Sequence, residues 1–280
     1  MSRAIDVMHL GRDRVICSYE VDGVIVDPGP TSCLDALLEG LEGRVPRALL
    51  LTHIHLDHAG ATGELCRRFP ALEVYVHERG APHIVDPSKL MASAERLYKE
   101  RMDELWGAMV PVPEERVHVL RGGETVEGFR VAYTPGHASH HVAYLHESSG
   151  DAYTGDVAGV RIPPHEHAMA PTPPPDIDVE RWLDSIEIVA AWNPARLCLT
   201  HFGYVTEVAD HLHRVREGLL DSAEAARELD EDGFCARIGE RLRAVMDEDS
   251  VQSFLQAAPP DQLYKGLDRY WRKKAESEAA

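Results

Sequence analysis

The sequence has no long apolar run, and no stretch approaches the roughly 18–20 residues that a helix needs to cross a bilayer. Its first residues also lack the apolar segment of a secretory signal peptide. The five cysteines are scattered, odd in number and never spaced as Cys-x-x-Cys, which argues against a disulfide framework. Together these absences predict a protein of the reducing cytoplasm without a membrane span.

Basic residues are also scarce. The chain has 29 Lys and Arg against 47 Asp and Glu, so its formal net charge is −18 with histidine neutral. A chain this acidic repels nucleic-acid phosphates and anionic lipid headgroups. We therefore expect no nucleic-acid partner and no membrane partner, and a small-molecule substrate instead. Aromatic residues make up only 6% of the chain, but the 44% of hydrophobic residues suffices for a sizeable core.

The pattern along the chain predicts an α/β protein with a helical end. At 280 residues the chain is one large domain, or a core domain with an appendage. Short apolar strands alternate with amphipathic helices up to about residue 204, which is typical of α/β architecture. Beyond that point the apolar positions keep helical spacing. We predict a core domain over 1–204 and a helical extension over 205–280, which packs on the core and offers a surface for a homodimer.

Two further segments bear on access to a site. The spacing of apolar residues over 88–109 predicts one long amphipathic helix. Its apolar face favours packing against the sheet, and the alternative is that the helix forms a lid over the substrate. The proline-rich stretch 163–175 predicts a stiff, irregular surface loop. The sequence leaves open whether these two segments together form a lid.

The 16 histidines point to a metal site. In His53-Ile54-His55-Leu56-Asp57-His58, which follows a short apolar strand, the first two histidines alternate along extended backbone and face the same way. Imidazole and carboxylate together suit zinc, iron or manganese better than calcium or magnesium. Three later strand-like stretches end at further candidate ligands, where α/β enzymes place their ligands. These are His137, Asp156 and His201.

In this order and approximate spacing, the segments resemble the metallo-β-lactamase-fold hydrolase superfamily over roughly residues 15–203, in its glyoxalase II-like and lactonase-like branch. The resemblance implies a four-layer αβ/βα sandwich with two divalent metal ions at one edge. Zinc is the first expectation for these ions, with iron and manganese as alternatives. It also implies that each ion has three ligands of its own and that Asp156 bridges them. The two sets are His53, His55 and His137, and Asp57, His58 and His201.

Other residues receive expected roles around these ligands. The resemblance assigns Asp27 to a buried acidic position that orients the metal-binding loop. His141 is predicted to be a hydrogen-bond partner of the ligands, and His140 a plain surface residue. Tyr204 either donates a hydrogen bond to the substrate or packs, and Arg161 is a candidate anchor for an anionic substrate group.

The expected reaction is metal-assisted hydrolysis. Two neighbouring divalent cations lower the pKa of a bridging water towards about 7, so a bridging hydroxide would attack a carboxylic ester, thioester or lactone. Asp57 is expected to take or return a proton. Two alternatives remain at this point: a metal-containing binding or regulatory protein on the same scaffold, and a phosphodiesterase. His211 and His213, two residues apart on a helix, diverge and receive no role.

Overall fold

The computed structural model describes residues 2–279, which form two six-stranded sheets. The first sheet follows chain order from β1 to β6. Its strands are Arg3–Asp6 (β1), Cys17–Val21 (β2), Val24–Val26 (β3), Ala48–Leu50 (β4), Glu73–His77 (β5) and Val117–Leu120 (β6). Strands β1 to β3 pair antiparallel, and strands β3 to β6 pair parallel.

The second sheet reverses chain order, running from β12 to β7. Its strands are Thr125–Val126 (β7), Phe129–Tyr133 (β8), Val142–His146 (β9), Asp151–Val160 (β10), Arg196–His201 (β11) and Gly203–Val205 (β12). Only β10 and β11 pair parallel, and the helix between them makes the crossover that a parallel pair requires.

Helices cover the outer faces of both sheets. Those of the first half are Leu34–Gly40 (α1), Leu56–Ala59 (α2), Thr62–Arg68 (α3), Ala81–Val85 (α4), Ser88–Tyr98 (α5) and Met102–Leu105 (α6). Those of the second half are Val179–Ala191 (α7), Val208–Glu228 (α8), Glu231–Val245 (α9), Glu248–Ala257 (α10) and Pro260–Glu278 (α11). None of the helices within residues 2–279 is long and apolar enough to cross a membrane.

Three apolar clusters show how the layers stack. One cluster packs the first sheet against α1, α3 and α6 and includes Leu37, Leu49 and Leu65. A second lies between the two sheets, where Tyr19 of one faces Tyr153 of the other. A third packs the second sheet against α7 and the four C-terminal helices. This is the predicted four-layer αβ/βα sandwich with a C-terminal helical region.

Three local expectations were wrong. The helix predicted over 88–109 breaks at Lys99, whose φ of 50° and ψ of −128° cannot continue a helix, so α5 and the short α6 replace it. The loop over 163–175 is irregular as predicted but is not a surface loop, because residues 168–172 are buried. Asp156 lies inside β10 instead of at a strand end, at a register irregularity where Gly155 has a φ of 47°.

Candidate metal centre

The predicted ligands meet at one edge of the sandwich because the chain repeatedly leaves a strand there. His53 follows β4 by three residues, and His201 is the last residue of β11. His137 lies in the loop before β9, and Asp156 projects from β10. The short α2 carries Asp57 and His58 back over the same edge.

Three histidines form the first group of donor atoms. The Nδ1 atom of His55 lies 3.0 Å from the Nε2 atom of His53 and 3.0 Å from the Nε2 atom of His137. The rings of His53 and His137 are buried, whereas that of His55 is partly exposed. All three nitrogens converge on one point, so they could hold a metal ion.

The second group combines two histidines with Asp57. The Oδ2 atom of Asp57 lies 3.4 Å from the Nε2 atom of His201 and 3.7 Å from that of His58. Asp156 connects the two groups, because its Oδ2 atom lies 3.2 Å from the Nε2 atom of His137 while its Oδ1 atom lies 3.2 Å from that of His58. One carboxylate thus faces both candidate positions.

These spacings fit divalent cations. Donors about 2.0–2.1 Å from a tetrahedral ion lie about 3.3 Å apart, and the separations between the donor atoms above are 3.0–3.7 Å. The Nε2 atom of His58 and the Oδ1 atom of Asp156 are buried and have no hydrogen-bond partner in residues 2–279. Buried polar atoms are costly when unpaired, and a cation between them would satisfy both.

The second nitrogen of four of these rings is held by a neighbour. His53 Nδ1–H donates to the Thr52 hydroxyl at 3.1 Å, and His58 Nδ1–H donates to Asp27 at 2.8 Å. Backbone carbonyls accept from the other two rings. These carbonyls belong to Pro171, 2.9 Å from His137 Nδ1, and Val15, 2.6 Å from His201 Nδ1. Each bond leaves the Nε2 lone pair facing the centre, as metal ligation requires.

Asp27 lies at the predicted buried position beneath the loop. Its φ of 50° is a left-handed conformation that aspartate tolerates. Its carboxylate accepts hydrogen bonds from the Thr52 amide at 2.8 Å, from the Thr52 hydroxyl at 2.6 Å and from His58. A further bond comes from the Thr200 hydroxyl at 3.2 Å. Asp27 therefore ties the ends of β4 and β11 to His58.

His140 and His141, which are adjacent in the sequence, lie in different surroundings. His141 is buried, accepts a hydrogen bond from the Asp156 amide at Nε2 and contacts the Thr134 hydroxyl through Nδ1 at 2.8 Å. His140 is not the plain surface residue expected from the sequence. Its ring lies 6.1 Å from that of His53 and 5.7 Å from that of His55 and lines the cavity above them.

The charges of the centre reinforce one another. Burial raises the pKa of the Asp57 and Asp156 carboxyls, but the surrounding histidines, His58 first, outweigh it and hold both below their ordinary value. Burial lowers the pKa of His58, but Asp156, Asp57 and Asp27 outweigh it and raise that pKa well above its ordinary value. His53, by contrast, has a lowered pKa because it is buried among other imidazoles. The carboxylates are therefore ionised and attract positive charge.

A cavity of about 830 Å³ opens above the centre. Its floor includes His55, Asp57, Asp156 and His201. Its walls come from α5 and α6 on one side and from α10 and α11 on the other, together with the prolines at 171 and 173–175. Segments 88–109 and 163–175, for which the sequence left a lid open, thus both contribute to the walls, and so do the C-terminal helices.

Two predicted substrate residues do not line this cavity. The turn after β11 carries Tyr204 back along the sheet to pair with Cys198; there its ring packs on Arg196 and its hydroxyl lies 3.0 Å from the Ser2 hydroxyl. The guanidinium of Arg161 donates to the His165 carbonyl at 3.1 Å. The structure therefore brings neither residue to the other site residues in the cavity.

Sequence reasoning missed His9 as well as His140. His9 is buried in the cavity wall and stacks on Trp106, with ring centroids 5.2 Å apart. No motif marks it, because it precedes the first long strand and reaches the site only through the fold. The groups that orient His137 and His201 are backbone carbonyls, so no particular side chain in the sequence marks them.

Comparison with known proteins is consistent with this geometry. The family model described as the metallo-beta-lactamase superfamily matches residues 16–201. The metallo-beta-lactamase fold-containing protein ST1585 of Sulfurisphaera tokodaii is 28% identical over 176 residues, which are 60% of this chain and 65% of that protein. A hydroxyacylglutathione hydrolase of Xanthomonas campestris is 36% identical over 138 residues, 48% of this chain and 40% of that enzyme. The chain thus spans less than two thirds of either relative.

Solved structures show the same fold. The crystal structure of ST1585 superposes with a TM-score of 0.66 at 23% identity, covering 91% of this chain and 97% of that one. TTHA1623, solved in a di-iron-bound form, gives a TM-score of 0.56 at 25% identity, covering 71% and 93%. Since the family model covers well over half of the sequence, the chain belongs to the metallo-beta-lactamase superfamily.

Proposed function

We propose that this protein is a dinuclear metal-dependent hydrolase that cleaves a carboxylic ester, thioester or lactone. The observation that carries the proposal is the convergence of seven donor residues in two sets that share Asp156, directly beneath a substrate-sized cavity. The superfamily is one of metallo-hydrolases, and relatives named hydroxyacylglutathione hydrolase and probable metallo-hydrolase support hydrolytic chemistry.

The proposed ligands divide as the donor groups do. His53, His55 and His137 would hold one ion, and Asp57, His58 and His201 the other, with Asp156 between them. When bound, two divalent ions supply a water of lowered pKa and a Lewis acid for the substrate carbonyl. We propose zinc first, with iron and manganese as alternatives, because all three accept this donor set.

The chain's own residues contribute position, charge and a proton acceptor. Asp57 lines the cavity, and about a fifth (22%) of its side chain is exposed, whereas that of Asp156 is buried. The lowered pKa of Asp57 keeps its carboxylate ionised, and its position in the cavity lets it accept a proton from an attacking group and return it to the leaving group. The fixed rings of His53, His58, His137 and His201 supply a preorganised site.

Acid release from a panel of thioesters, lactones, aryl esters and an aryl phosphodiester tests the proposal. We expect chelator-sensitive turnover of one carbonyl class, lost in Asp57→Asn. The exposed Asp35→Asn, which makes the same chemical change on α1, should keep full turnover. Turnover of the phosphodiester alone would favour a phosphodiesterase. Silence across the panel with two metals bound would favour a binding or regulatory protein.

The cellular setting is also a proposal. The scattered free cysteines, Cys17, Cys33, Cys66, Cys198 and Cys235, support a reducing cytoplasm. The net charge of −18 supports a small-molecule substrate in place of nucleic acid or a membrane surface.

We also propose a homodimer that forms through the C-terminal helices. Sedimentation tests this proposal, and a measured mass of one chain would contradict it.

A further inference from the structure

The cavity extends along α5, and its two ends differ in chemistry. Lys89 lies in the first turn of this helix and Tyr98 at its end, and both line the cavity. Nine residues of helix separate them, which corresponds to about 14 Å. A ligand that lies along this wall therefore meets the environments of both ends.

The end near the start of α5 is cationic. Arg79, which follows β5, and Lys89 are exposed at the rim, and His83 of α4 lies half-buried beside them. Within residues 2–279, none of these three side chains forms an ion pair or a side-chain hydrogen bond. The nearby Asp86 carboxylate does not line the cavity; its pKa is lowered by hydrogen bonds from Ser88 first and then by the charges of Lys89 and His83, with neither of which it forms an ion pair.

The other two cations of the cavity wall already have carboxylate partners. Arg12 is 2.9 Å from Asp249, and Arg101 is 3.1 Å from Glu104. Among the described residues that line the cavity, cations without an ion-pair partner are therefore restricted to one end, in a chain whose acidic residues greatly outnumber its basic ones. The Asp176 carboxylate, which also lines the cavity, accepts a hydrogen bond from the Ser139 hydroxyl at 2.6 Å. An anionic group would find attraction there and repulsion over most of the remaining surface.

The opposite end is aromatic and apolar. Tyr98 packs edge-on against Trp106 with 5.1 Å between the ring centroids, and His9 stacks on Trp106 at 5.2 Å. Leu255 of α10 and Leu263 of α11 complete the wall across from α5. Asp261 at this end adds a negative charge, although Lys265 lies 2.7 Å from it. This end suits an uncharged apolar group.

The two donor groups lie between these ends in a defined order. On the cationic side, the His140 ring contacts those of His53 and His55 in the first group, and it lines the cavity together with His83. On the aromatic side, His201 of the second group donates to the Val15 carbonyl at 2.6 Å, and Val15 lines the cavity together with His9. The second group therefore faces the aromatic end.

From this arrangement we infer that the substrate is an ester-type molecule with an anionic group on one side of the scissile bond and an apolar group on the other. A carboxylate or phosphate binds at Arg79 and Lys89, and the apolar part lies between Tyr98 and Leu263. The inference rests on the proposed function for its scissile bond, but its two binding ends are independent of turnover.

A matched pair of uncleavable amides tests the anionic end by calorimetry on the metal-loaded protein. N-hexanoyl-β-alanine carries a carboxylate, and N-hexanoyl-β-alaninamide replaces it with a neutral amide of the same size. We expect the acid to bind about 5- to 10-fold more tightly, since two partly exposed ion pairs contribute that much. The preference should shrink as salt rises from 0.05 to about 0.5 M. N-hexanoyl-aminoethyl phosphate distinguishes phosphate from carboxylate.

The double variant Arg79→Gln/Lys89→Gln should lose this preference and bind both amides equally. Arg67→Gln/Arg68→Gln on α3 removes two exposed positive charges elsewhere and should keep the preference. An acid held through the metal ions alone would keep its advantage in the Arg79/Lys89 variant. That result, or equal binding of the two amides to the wild-type protein, would overturn the inference.

The apolar end has its own variant, and the proposed function has a separate readout. Ala94→Phe on α5 fills the cavity and should weaken N-hexanoyl-β-alanine about 10-fold while leaving N-acetyl-β-alanine unchanged. Equal effects on both would contradict the placement. If neither the matched hexanoyl thioesters of mercaptopropionate and mercaptopropionamide nor any ester or lactone of the panel above is hydrolysed, the proposed reaction fails. The amide binding data then still decide whether the cavity recognises an anion.

Discussion

At the scale of single residues, the centre depends on side chains that touch no candidate metal position. Asp27 is the clearest example, because it accepts every hydrogen bond offered by Thr52 and also holds His58 Nδ1–H. An asparagine there would turn one oxygen into an N–H donor, which faces donors only. Partners of this kind typically affect metal affinity by 10–100-fold.

We therefore expect Asp27→Asn to weaken metal retention at least about 10-fold. Competition with a chromogenic chelator measures this directly. Asp35→Asn on the exposed surface of α1 is the control and should retain metal as the wild type does. Unchanged retention in Asp27→Asn would show that the carboxylate does not orient His58.

His211 provides a test away from the centre. It is buried in α8, donates through Nε2–H to the Ala158 carbonyl at 2.7 Å, and burial lowers its pKa to about 4. The unfolded chain binds a proton at this residue below its ordinary pKa of 6.5, whereas the folded chain does so only near 4. Stability is therefore lost as the pH falls through this window, by up to about 3 kcal/mol.

The test compares urea unfolding of metal-free proteins at pH 6.5 and 4.5. His211→Gln can donate to the same carbonyl without titrating, so its free energy of unfolding should fall less than that of the wild type. His213→Gln, on the exposed side of the helix, should behave as the wild type does. Identical losses in His211→Gln and the wild type would contradict this role.

The residues that could be predicted from the sequence are those with a motif. The convergence of the segment from His53 to His58 with His137, Asp156 and His201 could be predicted, because the motif and the order of these segments resemble those of a known family. His9, His140 and the orienting carbonyls could not, since their positions depend on long-range packing. For Tyr204 the sequence left two roles open, a hydrogen bond to the substrate or packing; the reversal of the chain in β12 carries it away from the cavity, and its ring packs on Arg196.

At the scale of elements, the positions of the strands around the centre were predictable and the continuity of helices was not. Apolar runs identify β4, β5 and β11 because buried strands need them. No glycine or proline near Lys99 in the sequence marks this break. It allows Trp106 to turn back onto His9, a tertiary contact that overrides local helical preference.

Close contact between elements gives a second kind of prediction. A Cβ atom on Gly136 would lie 2.4 Å from the backbone of Trp182 at the start of α7, and the φ of Gly136 is 132°. Because backbone atoms cannot swing aside, Gly136→Ala must displace α7 or the loop that carries His137. We expect a loss of at least about 2 kcal/mol in unfolding free energy, together with weaker metal retention.

The control variant Gly43→Ala distinguishes the effect of the close contact at Gly136 from the effect of backbone strain. Gly43 also has a positive φ, of 80°, but a Cβ atom added there on the surface turn would have no other atom within 4 Å. Its substitution should cost about 1 kcal/mol and leave metal retention unchanged. Equal costs at the two glycines, measured by urea unfolding, would mean that the packing of α7 on the loop is not decisive.

At the scale of the whole molecule, the C-terminal helices share a core with the second sheet. Leu219 and Phe234 join Trp182 and Val160 in one buried cluster, and α11 packs so closely that a Cβ on Gly266 would lie 1.9 Å from the Thr172 carbonyl oxygen. The helices could be predicted from their spacing, whereas the particular residues that they place in the cavity wall could not. Sequence periodicity shows which face is apolar but not what it covers.

A chain that ends at residue 206 should therefore fail to fold cooperatively. Removing α8 to α11 would expose the apolar face of α7 and one wall of the cavity. We expect a broad thermal transition and rapid proteolysis, measured beside the full chain under the same conditions. A sharp transition and wild-type metal retention in the shortened chain would show that residues 207–280 are dispensable for the fold.

The most direct test of the account is the metal content of the purified chain, measured by elemental analysis after supplementation with zinc and removal of loosely bound ions. The two donor groups and the shared Asp156 predict two divalent ions for each chain, with one ion or fewer in an Asp57→Asn/His58→Gln variant. A wild-type protein that holds no ion, or only one at saturation, would contradict the dinuclear centre.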